Sequence, residues 1–443
     1  MVSSVVSNPN ERLVNNRVEN DLESSDDTLS TQAKPVSRLL TRKLLLGVVV
    51  LFFLAGVSVV SYFLFSKYKM LNKFKRELDD HLTKDFPNLE RSKRDTCFDE
   101  LTRLFGDGFL SDDPKLEYEV YREFEEFNSK YNRRHATQQE RLNRLVTFRS
   151  NYLEVKEQKG DEPYVKGINR FSDLTEREFY KMFPVNEFSY SDLPYKDHIL
   201  DNVSNPTYLK NLKKALNTVE DVDPRNLTGE NLDWRRADGV TKVKDQVMDE
   251  CYSCWAFSTV ASVESLYRIY RDETVDLSEQ ELVDCDKLSG GCFTGSPFTA
   301  MEYVCSKGLS SSRDVPYRAK VGKCSYGKYK KKFVNTYFVA SGLDILNKSL
   351  VVSPTVVPIN LSREFLTYQS GVYNGSCGHY PNHVVVLVGE GFDEKTGLRY
   401  WVLKNSWGPD WGENGFLRLA RPKGMDNKCG VLSVGLTPVL YSS

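Results

Sequence analysis

In the stretch DQVMDECYSCWAFST, residues 245–259, two cysteines stand three apart and a helix-like run begins at the second. Cys251 and Cys254 could form a disulfide, a redox or metal-binding C-x-x-C, or a nucleophile with a structural neighbour. A thiol attacks a carbonyl only as thiolate, so a nucleophilic cysteine needs a base and surroundings that lower its pKa. From Cys254 on, Ala256, Val260, Val263, Tyr267 and Tyr270 share one helix face, which sets the thiol at a helix N-terminus. There the partial charge of the amides favours an anion. Two histidines, His379 and His383, accompany the C-terminal cysteines. With Cys377 they have a metal-like spacing, but Pro381 between them argues against a shared helix face. His383 opens the apolar run HVVVLVG, whose strand would hold an imidazole rigidly, whereas His379 lies in the turn-like CGHYPN. Asn405, in KNSWG, could accept from an imidazole N–H without adding charge, and Trp407 could shield that bond from water. His383 follows Cys254 by 129 residues and Asn405 follows His383 by 22, an order that suits a thiol nucleophile with an oriented base.

These side chains need a scaffold to bring them together. Eight of the nine cysteines fall in the last 193 residues, which points to an oxidising compartment for that part, and the odd total leaves a thiol unpaired. Residues 226–443 read as helices first (255–270, 278–284, 296–305) and then as short strands, among them NHVVVLVGEG and YWVLKNSWG. The chain of 443 residues has room for more than one core, and its net charge of −1 gives no reason to expect nucleic acid as a partner. Lys323, Lys328, Lys330, Lys331 and Lys332 read as a solvated loop.

Residues 44–65, LLLGVVVLFFLAGVSVVSYFLF, carry no charge and at about 1.5 Å each reach roughly 33 Å, enough for a bilayer core. A polar tail, 1–43, precedes them, so the run reads as a signal anchor and not as a cleaved signal peptide. Flanking lysines and arginines do not settle its orientation. The cysteines do, because their disulfides require the lumenal side: a type II protein with a cytoplasmic tail. Residues 66–115 form a charged stem with weak helical periodicity. Helical sequence begins at 116, and Glu140, Arg144, Phe148, Asn151 and Val155 share one face, with an i,i+4 ion pair expected between Glu140 and Arg144. Gly167, Asn169, Phe171 and Asp173 then alternate as in an extended segment, and 184–225, with four prolines, reads as a linker.

CYSCWAFS, LSEQELVDCD, NHVVVLVGEG and WVLKNSWGPDWGENGFLRL resemble the papain and cathepsin L-like cysteine proteases over nearly all of 226–443. The shared helix face resembles that family's inhibitory propeptide helix, and Gly167, Asn169, Phe171 and Asp173 match its G-x-N-x-F-x-D segment, so 116–183 reads as a propeptide. An anchor upstream is similar to the membrane-anchored cysteine proteases of apicomplexan parasites. The resemblance implies an α+β, papain-like two-subdomain fold, with a helical left and a β-barrel-like right subdomain. It implies a cysteine endopeptidase made as a zymogen, matured by a cut in 184–225 and working in an acidic lysosome- or food-vacuole-like compartment. Cys254 would be the nucleophile, His383 the base and Asn405 its orienter, with the Gln246 side chain and the Cys254 N–H as oxyanion hole. Gly295, Ser296, Asn382, Val384, Trp407 and Val434 would meet the substrate, and an apolar pocket floor would favour a hydrophobic side chain second before the cut. The implied disulfides are Cys251–Cys292, Cys285–Cys324 and Cys377–Cys429, which leave Cys97 and Cys305 unassigned. Expected partners are protein or peptide substrates, the protein's own propeptide, and the membrane through 44–65, with no nucleic acid, cofactor or metal. Sequons stand at Asn202, Asn226, Asn347, Asn360 and Asn374.

Some positions depart from the family pattern. Val247, Met248, Asp249 and Glu250 are four residues where the family has two, so the loop either bulges outward or displaces the Gln246 amide. Tyr252 replaces a glycine, Thr294 replaces another, and Asn382 stands where many plant members have Asp. Tyr252 and Thr294 are expected to narrow acceptance of the residue before the cut. The alternative reading is a catalytically impaired member kept as a binding or regulatory protein.

Overall fold

The computed structural model describes residues 38–182, 232–246, 251–324, 327, 329–377, 380–421 and 428–440, with side chains from residue 46. The tail before 38, the linker 184–225, Val247 to Glu250, Lys328, His379, Asn202 and Asn226 lie outside the described residues. The chain divides into two units, Met1–Met70 and Leu71–Ser443.

The described part of the first unit belongs to helix α1 (Arg38–Asp85), which contains the whole apolar run 44–65. Its large side chains are exposed, Phe52 at 75% and Leu46 at 68%, and by length and composition the helix can cross a bilayer.

In the second unit the later part of α1 is far from a mere stem. Phe74, Leu78 and Leu82, four apart, are buried in one core with Cys97, Leu101 and Leu104 of α2 (Arg91–Gly106). The same core takes in Phe124 and Phe127 of α3 (Pro114–Lys130) and Leu145 and Phe148 of α4 (Gln138–Lys156). Asp113 caps α3 by accepting from the N–H groups of Lys115 (3.0 Å) and Leu116 (3.3 Å), with Pro114 at the first helical position. Buried carboxylates in this bundle are paired, Glu100 with Arg141 (2.9 Å) and Glu117 with Arg149 (2.6 Å), which offsets their desolvation. The expected Glu140–Arg144 pair is not formed. Glu140 turns back to accept from the Ala136 N–H (2.8 Å) at the helix start, while Arg144 makes a two-pronged bond to Glu178 (2.7 and 2.8 Å). A bidentate carboxylate on another segment wins over a single contact along the helix. A short strand, β1 (Tyr164–Lys166), and α5 (Glu176–Met182) complete this part.

The peptidase part opens with α6 (Cys254–Arg271), α7 (Glu279–Cys285) and α8 (Pro297–Lys307), close to the expected bounds. Trp255, Val260, Val263, Phe298 and Met301 form the core between them. The strands are β2 (Thr336–Ala340), β3 (Thr355–Ile359), β4 (Tyr368–Tyr373), β5 (His383–Asp393), β6 (Leu398–Lys404), β7 (Phe416–Ala420) and β8 (Gly435–Val439). Their order is β1-β4-β7-β6-β5-β3-β8-β2, antiparallel except for β4 against β7. Helix α9 (Leu343–Val352) gives Leu346 and Leu350 to the core of the sheet half, with Leu387, Trp401 and Leu403. Three disulfides, Cys251–Cys292, Cys285–Cys324 and Cys377–Cys429, join the pairs the resemblance implied. Lys331 and Lys332 correct the solvated-loop reading. Lys331 is nearly buried and paired with Glu281, and Lys332 bonds Glu273 at 2.6 Å, because both strap the chain onto α7 and the end of α6.

Candidate active site

Cys254 is the first residue of α6 and His383 the first of β5, so each side chain stands where a regular element begins. Ser258 donates to the Val384 carbonyl (2.8 Å) and ties the first turns of α6 to the start of β5. The Nε2 of His383 lies 2.8 Å from Asn405 Oδ1, which also accepts from the Ser406 N–H at 2.8 Å. An amide oxygen only accepts, so the ring proton sits on Nε2 and the Nδ1 lone pair is left for a proton from elsewhere. Trp407, buried, lies against the imidazole with 5.1 Å between ring centres. Burial pushes the Cys254 thiol up to about 11, against the backbone N–H groups of Val384, Trp255 and Cys254 itself. Burial also pushes His383 down to about 4, with the Asn405 bond opposing. Burial thus disfavours the charged form of each group.

Gln246 is buried and held on every side. Its N–H donates to Ser406 O (2.9 Å), its carbonyl accepts from the Tyr317 hydroxyl (2.7 Å) and its Oε1 from the Ser406 hydroxyl (2.6 Å). Its Nε2 points to Cys251 O at 3.4 Å and lines the same cleft as Cys254. Ser406 and Tyr317 escaped the sequence reading. Ser406 was within reach as the neighbour of Asn405, whereas a tyrosine in a loop carries no local signal.

The cleft is open to solvent, and its space counted with that solvent is about 890 Å³. Cys254, His383, Gln246, Gly295, Asn382, Val384 and Val434 all line it, and Phe298, Val356, Pro358 and Leu436 make its deep wall apolar. A Cβ at Gly295 would overlap the Trp255 indole, so glycine is required there. Tyr252, Phe293 and Thr294 line the cleft as well. Two residues expected to meet the substrate are not in this lining. Ser296 is not in the lining, because its hydroxyl caps α8 through the Phe298 N–H (3.2 Å). Trp407 is covered here by Phe171, packed edge-on at 5.1 Å, and lies against the His383 ring. The metal alternative loses Cys377, which is committed to its disulfide.

Residues 228–439 match the papain family cysteine protease domain and 124–179 the cathepsin propeptide inhibitor domain. A cysteine proteinase of Theileria parva is 71% identical over 98% of both chains. The chain belongs to the papain family of cysteine proteases. Falcipain-3 of Plasmodium falciparum is 33% identical over 76% of this chain and 69% of its own. The solved proform of the ragweed pollen cysteine protease Amb a 11 superposes with a TM-score of 0.61 at 30% identity, covering 76% of this chain and 99% of its own.

The papain-family endopeptidase is seen with its own propeptide in place. Strand β1 pairs antiparallel with β4, Tyr164 opposite Gly371 and Lys166 opposite Tyr368. Gly167 N–H donates to Thr367 O (2.7 Å), Asn169 bonds the Leu366 carbonyl, and Arg363 bonds Asn151 of α4. Arg170 pairs with Asp245 next to Gln246, and Met182 reaches the cleft that holds Cys254. Among the sequons, Asn374 is exposed and Asn347 half-buried. Asn360 is a correction: it is 7% exposed and packs on Gly430, leaving no room for a glycan.

Proposed function

We propose that this protein is a membrane-anchored zymogen whose peptidase part, 226–443, hydrolyses peptide bonds through a Cys254 thiolate and a His383 imidazolium. The observation that carries it is the His383 Nε2–Asn405 Oδ1 bond of 2.8 Å beside a cysteine at the head of α6, in one cleft. Nδ1 takes the thiol proton, the sulfur attacks the carbonyl carbon, and the imidazolium returns the proton to the leaving amine. Water then releases the acyl group. The Gln246 amide and the Cys254 N–H receive the oxyanion, and Gly295 meets the substrate backbone. The apolar wall with Val434 at its floor supports a preference for a hydrophobic side chain second before the cut. Residues 44–65 anchor the chain as a type II protein, 116–183 block the cleft, and a cut in the linker frees the enzyme in an acidic lumen. Labelling of acid-processed protein by a thiol-directed peptidyl epoxide tests the site. Label on the wild type and none on Cys254→Ala is expected, and equal label on both sinks the reading.

A further inference from the structure

Tyr317 stands in the loop between α8 and β2, 63 residues after Cys254. Its hydroxyl donates to the Gln246 carbonyl at 2.7 Å and lies 2.7 Å from the Ser253 hydroxyl. A phenol has one proton, and a carbonyl can only accept, so the second bond runs from Ser253 to the Tyr317 oxygen. Gln246 and Ser253 bracket the stretch that is two residues longer than in the family. One phenol therefore joins both ends of that stretch, and its ring is fixed edge-on against Phe257, 4.8 Å away. Burial raises the Tyr317 pKa against the Ser253 bond, and Glu279, Asp245 and Cys254 act on it electrostatically, with Asp245 paired with Arg170.

Ser253 adds an independent observation. It occupies the N-cap place of α6, where a serine side chain ordinarily accepts from an amide of the first turn. Here it makes no such bond, and its backbone (φ −95°, ψ 23°) is not the extended form of a capping residue. The hydroxyl is turned to Tyr317, and the Trp255 N–H that a cap would take instead favours the Cys254 thiolate.

We propose that Tyr317 is a positioning residue for the hydrolysis assigned to this cleft. Its phenol holds the Gln246 amide and the uncapped start of α6 in register across the lengthened loop. The proposal rests on the Cys254–His383 reading, and its failure is separable from that of the reading. The test uses acid-processed full-length chain, with rates expressed per site counted by a peptidyl epoxide. Tyr317→Phe keeps the ring and loses both bonds, so kcat is expected to fall about tenfold, the scale of one or two neutral hydrogen bonds, with KM little changed. The pH profile of Cys254 alkylation by iodoacetamide shifts upward, as Ser253 turns back to cap α6 and takes an amide from the sulfur. Gln246→Ala is expected to lose about 10²–10³-fold. The loss in the double variant is less than the product of the two single losses, because the phenol acts partly through the glutamine. Wild-type kcat per site and an unmoved alkylation profile in Tyr317→Phe overturn the proposal, as does a double loss equal to the product. Equal epoxide label on wild type and Cys254→Ala overturns the underlying reading instead.

Discussion

Leu78→Ala tests whether the inhibitor begins well before the propeptide domain match at 124–179. Leu78 lies in α1, yet it is 0% exposed and shares a core with Phe124, Leu145 and Phe148. Truncating a buried leucine to alanine destabilises by about 2–5 kcal/mol, because the hole left behind cannot fully close. The helices that lose it are those that position β1, Phe171 and Met182 on the peptidase part, so their opening exposes the cleft. At about 3 kcal/mol the open population rises roughly 150-fold. The assay is the rate at which a peptidyl epoxide labels Cys254 at neutral pH, read on the uncleaved full-length band. Phe148→Ala, inside the domain match, serves as the reference for a failing inhibitor. Leu78→Ala should label much faster than wild type, approaching that reference. Labelling no faster than wild type, with Phe148→Ala fast, refutes the reasoning and confines the inhibitor to the matched residues.

Acid release should depend on His135, whose pKa is lowered by burial and then by Arg141, against Glu140 and Asp173. The unfolded chain takes up that proton first, so His135's contribution to propeptide stability shrinks as pH falls from 6.5 toward the lowered value. His135→Gln therefore moves epoxide labelling of the zymogen to lower pH, and an unchanged pH midpoint excludes this. Burial pushes Glu178 up, but Arg144 and Thr175 outweigh it and leave it below 4.5, so its support is complete above that pH and lost only as pH falls through the lowered value. Glu178→Gln should thus raise labelling already at neutral pH, and wild-type latency there refutes the clamp. Gly295→Ala, which drives a methyl into the Trp255 indole, should lower kcat/KM per titrated site by about 10²-fold, and an unchanged value contradicts the cleft geometry. If the peptidase domain is glycosylated, glycopeptide mass spectrometry should find Asn374 modified and Asn360 bare, and a glycan on Asn360 refutes its burial.

The site residues that touch one another through short motifs were legible in the sequence. His383 at the head of an apolar run became the first residue of β5, and Asn405 in KNSWG reached its ring. The lengthened loop left the place of Gln246 open, and that place is set by Ser406 and Tyr317, contacts no local pattern announces. A tertiary partner also decided Arg144, drawn from Glu140 to Glu178, whereas the capping role of Ser296 is local and was readable in the Ser-Pro step that opens α8. The stem was missed for a different reason. Phe74, Leu78 and Leu82 recur every four residues, but charged neighbours dilute the pattern and only packing against α3 and α4 reveals it as core. Not every propeptide carboxylate favours opening in acid: burial raises the Asp173 pKa despite Arg133 and Arg144, so its protonation favours the closed form.

Once β1 departs, β4 becomes the outermost of the described strands on its side of the sheet. The Val372 N–H loses the Pro163 carbonyl and the Thr367 carbonyl loses the Gly167 N–H, so the released enzyme presents a fresh seam of unpaired backbone. Such a seam invites stacking between copies of a soluble protein. This one is poorly suited to it. Gly371 sits at φ 90°, outside the range of a regular strand, and this kink stays in β4 when β1 leaves. A regular strand cannot follow that path, so the edge that holds the inhibitor is shaped against self-association after the inhibitor has gone.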